Sequence, residues 1–314
     1  MPHQDPAPTI LARGLTRSFG NHVAVNNITL ELRRGEVLGF LGPNGAGKTT
    51  TMQMLTGNLA PTQGTVSICG VDLLERPAAA KARIGYLPEV PPLYRELTVD
   101  EYLALAARLH RVSRAKVNEA VAQAEQRCGL AKVGARLIGT LSKGYQQRVG
   151  IAQAIVHGPD VVILDEPTIG LDPNQIREIR ALIRELGGSH SVVLSSHILP
   201  EVEMLCDRVQ IMHHGGIVYS DTIAALKQFE RGATIVLGLR RPPAPEELLA
   251  VTDVANIEQM EETLFRIQAS SGGDPTDALV RAASERDWGL YRIAPAQNSL
   301  EDVFVNLTRH EESQ

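Results

Sequence analysis

What these 314 residues lack narrows what the protein can be. No apolar run is long enough to cross a bilayer. The longest, such as Val161–Leu164, stop far short of the ~20 residues a membrane helix needs. Positive charge is not in excess: 31 Lys and Arg stand against 36 Asp and Glu, a net charge of −5. That balance argues against a nucleic-acid surface or a basic membrane patch. Cysteine is scarce. Cys69, Cys128 and Cys206 lie too far apart for metal-ligand spacing, and an odd, scattered set fits small apolar packing residues in a reducing compartment. Met1 to Thr9 is polar and proline-rich, without the basic-then-apolar order of a secretory signal. Internal repeats and low-complexity tracts are missing as well. A role in a membrane process therefore calls for a partner that supplies the membrane part.

What remains is an ordinary globular composition, 43% hydrophobic and 21% charged, with enough length for one large domain and one smaller one. Ile10–Ser18 and His22–Leu32 alternate apolar and polar positions and predict two antiparallel strands. Glu36–Leu41 is a continuous apolar run, as in a buried parallel strand. A glycine-rich turn follows, then a helix over Thr49–Leu59 and short strands over Thr65–Ile68 and Ile84–Tyr86. Between Glu89 and Leu141 the pattern turns helical. One core stripe is predicted at Tyr102, Leu105, Ala106 and Leu109, and another at Val117, Val121, Ala124 and Cys128, with Gly129 as a stop. Beyond Ser142, strands Val161–Leu164, Ser191–Ser195 and Arg208–Met212 alternate with helices Ile176–Leu186 and Leu199–Leu205. This order predicts a mostly parallel sheet flanked by helices. After a composition break near Phe229–Gly232, the predicted order is βαββαβ, a ferredoxin-like split motif, followed by a last helix over Leu300–Thr308.

The chemistry is concentrated in Gly42-Pro43-Asn44-Gly45-Ala46-Gly47-Lys48-Thr49-Thr50, which fits GxxxxGK[ST] between a buried strand and a helix. The glycines let backbone N–H groups close around phosphate, and the following helix adds the positive end of its dipole. Lys48 can reach the β- and γ-phosphates, and Thr49 can place its hydroxyl on Mg²⁺. Farther on, the strand Val161–Leu164 ends in Asp165-Glu166. One carboxylate, Asp165, would hold Mg²⁺ through water; the other, Glu166, would polarise the attacking water.

Leu141-Ser142-Lys143-Gly144-Tyr145-Gln146-Gln147-Arg148 then resembles the signature motif of the ABC ATPase family, usually LSGGQ, with Lys143 and Tyr145 departing from the common form. Ser142 would cap a helix running to about Val156, leaving free N–H groups as an anion site. Other matches follow in family order. Ile169-Gly170-Leu171-Asp172 resembles the D-loop at the dimer interface. His197 resembles the switch histidine that contacts the γ-phosphate. Phe19 resembles the aromatic that stacks on adenine, although a core aromatic in a strand is also open to it. Where most of the family has glutamine after Tyr-Leu-Pro, this chain has Glu89, which can approach Mg²⁺ but cannot donate as an amide does. The segment Tyr86–Thr98 would be the hinge to the helical subdomain. Ile84-Gly85-Tyr86-Leu87-Pro88-Glu89, the signature lysine and Leu300-Glu301-Asp302-Val303-Phe304 resemble one subgroup, which serves type-2 ABC permeases and includes copper-related, sodium-export and gliding-motility ATPases.

The resemblance covers Ile10 to about Thr222 and implies an α/β fold: a P-loop NTPase core of ABC type, with an antiparallel β subdomain and a helical subdomain over about 90–145. The expected organisation is a disordered N-terminus over 1–9, an ABC ATPase domain over 10–230 and an accessory α+β domain over 231–314. The implied activity is hydrolysis of ATP with Mg²⁺ by a homodimer, in which Ser142, Gly144 and Asp172 face the nucleotide held by the other copy. That dimer would energise a separate integral-membrane permease, with export favoured, from the inner face of the cell membrane and without nucleic acid. The alternatives are a soluble ABC ATPase outside transport or a nucleotide-dependent regulator. Against them stand the single cassette, the short spacing between motifs and the intact set Lys48, Asp165, Glu166 and His197.

Overall fold

The computed structural model describes residues 7–231, 234–270 and 273–295. The chain divides into two compact units, Met1–Ser220 and Asp221–Gln314. In the first unit, β1 (Ile10–Phe19) and β2 (His22–Leu32) pair antiparallel along nearly their whole length. β4 (Gln63–Ile68) pairs with the other edge of β1, and β5 (Val71–Asp72) closes the sheet in the order β2-β1-β4-β5. Thr9, just ahead of β1, is buried, and its N–H donates to Leu32 O at 2.8 Å.

A second sheet holds the chemistry. β3 (Val37–Leu41), β6 (Ile84–Leu87), β7 (Val161–Asp165), β8 (Ser191–Ser196) and β9 (Arg208–His213) run parallel, with β10 (Gly216–Thr222) at the edge, in the order β10-β9-β3-β8-β7-β6. Every residue of β3, β7 and β8 is buried. Strands covered on both faces need continuous apolar runs, which is the pattern the sequence shows there.

The helices include α1 (Lys48–Leu55), α2 (Pro77–Lys81), α3 (Val99–Leu109), α4 (Val117–Arg127), α5 (Lys143–Ile155), α6 (Pro173–Gly187) and α7 (Leu199–Leu205). α1 ends at Leu55, short of the predicted Leu59; the N–H groups of Asn58 and Leu59 fold back onto Gln53 O as the chain turns at Gly57. α3 opens on a capping box, with Thr98 and Glu101 each bonding the other's backbone N–H. Its buried stripe is Val99, Tyr102, Leu103, Ala106 and Ala107. This corrects the predicted stripe: Leu109, near the helix end, is 73% exposed, and Leu105 is half-buried. The stripe on α4 holds as read: Val117, Val121, Ala124 and Cys128 are all buried. The helix stops before Gly129, with Leu130 N bonded to Glu125 O at 2.7 Å.

Glu125 adds a pH-dependent element. Burial, then the neighbouring acid Asp100, push its carboxyl from 4.5 up to about 8. Because the folded value is the higher one, the folded chain binds more protons across that window, and stability falls as pH rises through it. Glu125→Gln cannot ionise. It is expected to flatten this slope and to raise the melting temperature at alkaline pH by about 2–4 °C per kcal/mol recovered. Thermal unfolding at mildly acidic and mildly alkaline pH tests this; equal pH slopes in variant and wild type would remove Glu125 as the cause.

The second unit begins with α8 (Ile223–Arg231), so the boundary lies ahead of the composition break near Phe229–Gly232. There follow β11 (Thr234–Leu239), α9 (Pro245–Leu249), β12 (Val254–Glu261), β13 (Leu264–Ala269), α10 (Thr276–Glu285) and β14 (Leu290–Pro295). The sheet order is β12-β13-β11-β14 with each neighbouring pair antiparallel, which is the split βαββαβ arrangement. Its own core includes Leu237, Leu248, Phe265, Ile267, Leu279 and Trp288. The helix predicted over Leu300–Thr308 lies outside the described residues.

Candidate functional site

The site is built where β3, β7 and β8 end side by side, at the carboxyl edge of the parallel sheet, where such folds bind ligands. The loop after β3 runs through Gly42, Pro43, Asn44, Gly45 and Ala46 to Gly47, which precedes α1 at φ 102°. A β-carbon on Gly47 would also come within 2.5 Å of Ala24 O, so backbone strain and sterics both demand glycine. No side chain caps α1, which leaves its first-turn N–H groups without a side-chain partner, as a phosphate cradle requires. Lys48, buried at 6% exposure, donates to Gly42 O at 2.7 Å and Pro43 O at 3.2 Å and pairs with Glu166 Oε1 at 3.3 Å. The two carbonyls take two of its N–H donors, and the contact with Glu166 is an ion pair. Thr49 follows at the second position of α1, and Thr50 after it.

Asp165 is the last residue of β7 and is fully buried. Burial raises its carboxyl above the ordinary range; hydrogen bonds from the Ser195 and Thr49 hydroxyls oppose this, and the charges of Glu166 and then Glu89 reinforce it. Ser195 Oγ donates to Asp165 Oδ1, while Asp165 Oδ2 is buried without a hydrogen-bond partner. Glu166 leaves the strand in the left-handed region at φ 48°, a conformation that costs a non-glycine residue roughly 1–2 kcal/mol. Its N–H is held by Ser195 Oγ at 2.9 Å, and the twist brings its carboxylate between Lys48 and His197, whose Nδ1 lies 2.9 Å from Glu166 Oε2. Ser195 was not singled out from the sequence. It lies opposite Asp165 in the β7–β8 register, a cross-strand relation invisible in the order of residues.

The structure thus brings Lys48, Thr49, Asp165, Glu166 and His197 into one cluster. The remaining predicted residues sit around it. Phe19, at the end of β1, is 48% exposed with the Arg17 guanidinium 4.6 Å from its ring centroid, so it is not a core aromatic. Glu89 is exposed, in a groove of about 580 Å³ that it shares with Lys143, Arg95 and Gln146. Its effect on Asp165 is the smallest of those acting there. Ser142 caps α5 through a long 3.5 Å bond from Tyr145 N. Gly144 packs under Gln175: a β-carbon there would come within 2.5 Å of that side chain. Asp172 caps α6 through the N–H groups of Asn174 and Gln175 at 2.9 and 3.0 Å. Among the described residues no hydrogen bond or ion pair joins Ser142, Gly144 or Asp172 to the Lys48 cluster.

No group of three or more His, Cys, Asp or Glu among the described residues could hold a metal ion by itself. That suits Mg²⁺, which binds through one or two carboxylates together with phosphate oxygens and water. The partnerless Asp165 Oδ2, together with the Thr49 hydroxyl near the same carboxyl, is the matching donor set, and a cation there would reverse the unfavourable burial of that charge.

A buried strand, a glycine cradle with its lysine, and paired carboxylates on the neighbouring strand define a P-loop nucleoside triphosphatase. Residues 25–169 match the model of the ABC transporter family. The chain is 39% identical over 295 residues to the uncharacterized ABC transporter ATP-binding protein YxlF of Bacillus subtilis (strain 168), covering 93% of this chain and 97% of that one. It is 32% identical over 299 residues to the Nod factor export ATP-binding protein I of Rhizobium sp. strain N33, covering 95% and 96%. A solved ATP-binding subunit of an ABC transporter superposes with a TM-score of 0.64 at 31% identity, over 70% of this chain and 93% of the other. The chain belongs to the ABC transporter ATP-binding family. It is the ATP-binding, ATP-hydrolysing subunit of a transporter, which the transport relatives favour over a soluble ATPase or a regulator. Among the described residues no helix is long and apolar enough to cross a membrane.

Proposed function

We propose that two copies of the chain sandwich two MgATP and drive a separate membrane permease, to which they attach at the cytoplasmic face. The observation that carries this reading is the continuous contact from Lys48 to Glu166 to His197 across the ends of the parallel strands. Lys48 and backbone N–H groups of residues 44 to 50 would hold the phosphates, with phosphate oxygens taking the place of Glu166 at Lys48. Thr49 and Asp165 would hold Mg²⁺, with Glu89 at its margin. The metal would supply charge neutralisation between the phosphates. Glu166, released from Lys48 and kept by His197, would take the proton of the attacking water. Phe19 would stack on adenine from the face opposite Arg17.

Ser142, Gly144 and Asp172 do not reach the Lys48 cluster of their own chain. Their capped helix ends supply donors for a γ-phosphate held by another copy. The groove beside Glu89 would receive a loop of the permease. Export is the favoured direction, because a relative that matches over nearly its full length is named for Nod factor export.

The test is phosphate release and molecular mass in solution, with the full chain in MgATP, in MgADP and after chelation of Mg²⁺. A dimer in MgATP alone, with release lost on chelation, is the expected result. A monomer under every condition, or undiminished release after chelation, would overturn the reading.

A further inference from the structure

Below the reactive cluster lies a second buried polar centre. Glu201, on α7, is 1% exposed. Its Oε2 accepts from Thr168 Oγ1 at 2.8 Å and from Ser196 Oγ at 3.1 Å, and its Oε1 accepts from Arg180 Nη2 on α6 at 2.8 Å. Thr168 and Ser196 are themselves buried. Their places in the chain give the arrangement its meaning. Thr168 stands two residues after Glu166, in the turn closed by Ile169 N on Glu166 O at 3.2 Å and leading to Asp172. Ser196 immediately precedes His197, and its Oγ also accepts from Ile198 N at 3.0 Å. One carboxylate therefore ties down both segments that carry the Glu166–His197 pair as they leave β7 and β8.

Stability alone does not explain such a group. A buried ion pair seldom improves on apolar packing of the same volume, and its best-attested use is to select one arrangement among several. A carboxylate is suited to that task, because it alone accepts at once from two hydroxyls and a guanidinium arriving from three separate segments. Glu166 already holds a strained left-handed backbone, and a strained conformation persists only where its surroundings over-determine it. The Thr168 anchor is the nearest such constraint on its C-terminal side.

We propose that Glu201 is a positioning residue for ATP hydrolysis, holding the Glu166 turn and the His197 segment in the one relation that aligns base and switch histidine. The inference rests on the roles given above to Glu166 and His197. It is tested on the full chain by steady-state ATPase kinetics, nucleotide affinity and thermal unfolding of Glu201→Ala, Glu201→Gln and Thr168→Val. Glu201→Ala is expected to lose about 10²-fold in kcat, the scale of a misplacement near 1 Å, with KM and nucleotide affinity within about twofold of wild type. Glu201→Gln, whose amide still reaches both hydroxyls, is expected to recover most of that loss. In a Glu166→Gln background Glu201→Ala should add nothing, because both changes act through one group. Wild-type kcat in folded Glu201→Ala, or a matching fall in nucleotide affinity, would overturn the proposal. If Glu201→Ala does not fold, Thr168→Val decides, since it keeps the Arg180 pair: a kcat reduced at unchanged affinity supports the proposal, and an unchanged kcat overturns it. Normal turnover in Glu166→Gln would instead remove the assignment of the base itself.

Discussion

Glu166→Gln is expected to bind ATP with undiminished affinity and to lose turnover by about 10²–10⁴-fold, the range that a positioned general base contributes. The geometry sets both halves of this expectation. The amide keeps the size of the carboxylate, so the left-handed turn at Glu166 and its N–H bond to Ser195 have no reason to move. What disappears is the basic oxygen and its charge. In the free chain that charge is shared between Lys48 at 3.3 Å and His197 at 2.9 Å, and it competes with phosphate for the lysine. Neutralising it leaves Lys48 freer for the nucleotide while removing the proton acceptor, so the variant should accumulate as an ATP-loaded dimer. Phosphate release and equilibrium nucleotide binding, measured on the same preparation, separate the two effects. Release at the wild-type rate would take Glu166 out of the chemistry.

Lys48→Ala should do the opposite and strike binding first. Lys48 Nζ lies against the carbonyls of Gly42 and Pro43, which hold it inside the loop with its charge directed at the cradle. A charge-assisted hydrogen bond is worth roughly 1.5–3 kcal/mol. Losing one to the β- and γ-phosphates corresponds to a nucleotide affinity weaker by about 10–10²-fold, and losing two by about 10²-fold or more. Glu166 would also lose its buried cation, leaving only His197 beside it. Titration with a fluorescent ATP analogue reads the first effect directly. A dissociation constant within about twofold of wild type would show that the cradle's backbone N–H groups alone carry the phosphates.

The two assignments differ in how they could be read. Lys48 stands inside a contiguous motif, so its neighbours in sequence are its neighbours in space. Glu166 was legible because it ends an apolar strand, but its contacts to Lys48 and His197 span long separations and depend on strand order. The stripe on α4 followed from periodicity, whereas that on α3 did not, because the flank position Leu109 has the chemistry of the core without its burial. Phe19 was ambiguous between core and ligand until its exposure was known.

By itself the order of residues determined the glycine cradle with its lysine, the buried strands that flank it, the ends of α5 and α7 and the βαββαβ pattern of the second unit. These features are local: each depends on residues within a few positions of one another, through backbone sterics, capping and the period of apolar side chains. Only the tertiary structure decided that Ser195 bridges Asp165 and Glu166, that Glu201 gathers Thr168, Ser196 and Arg180, and that Ser142 and Asp172 stand apart from their own chain's lysine. Those relations arise where β3, β7 and β8 are laid side by side, and lateral strand order is a global packing outcome that no local pattern encodes.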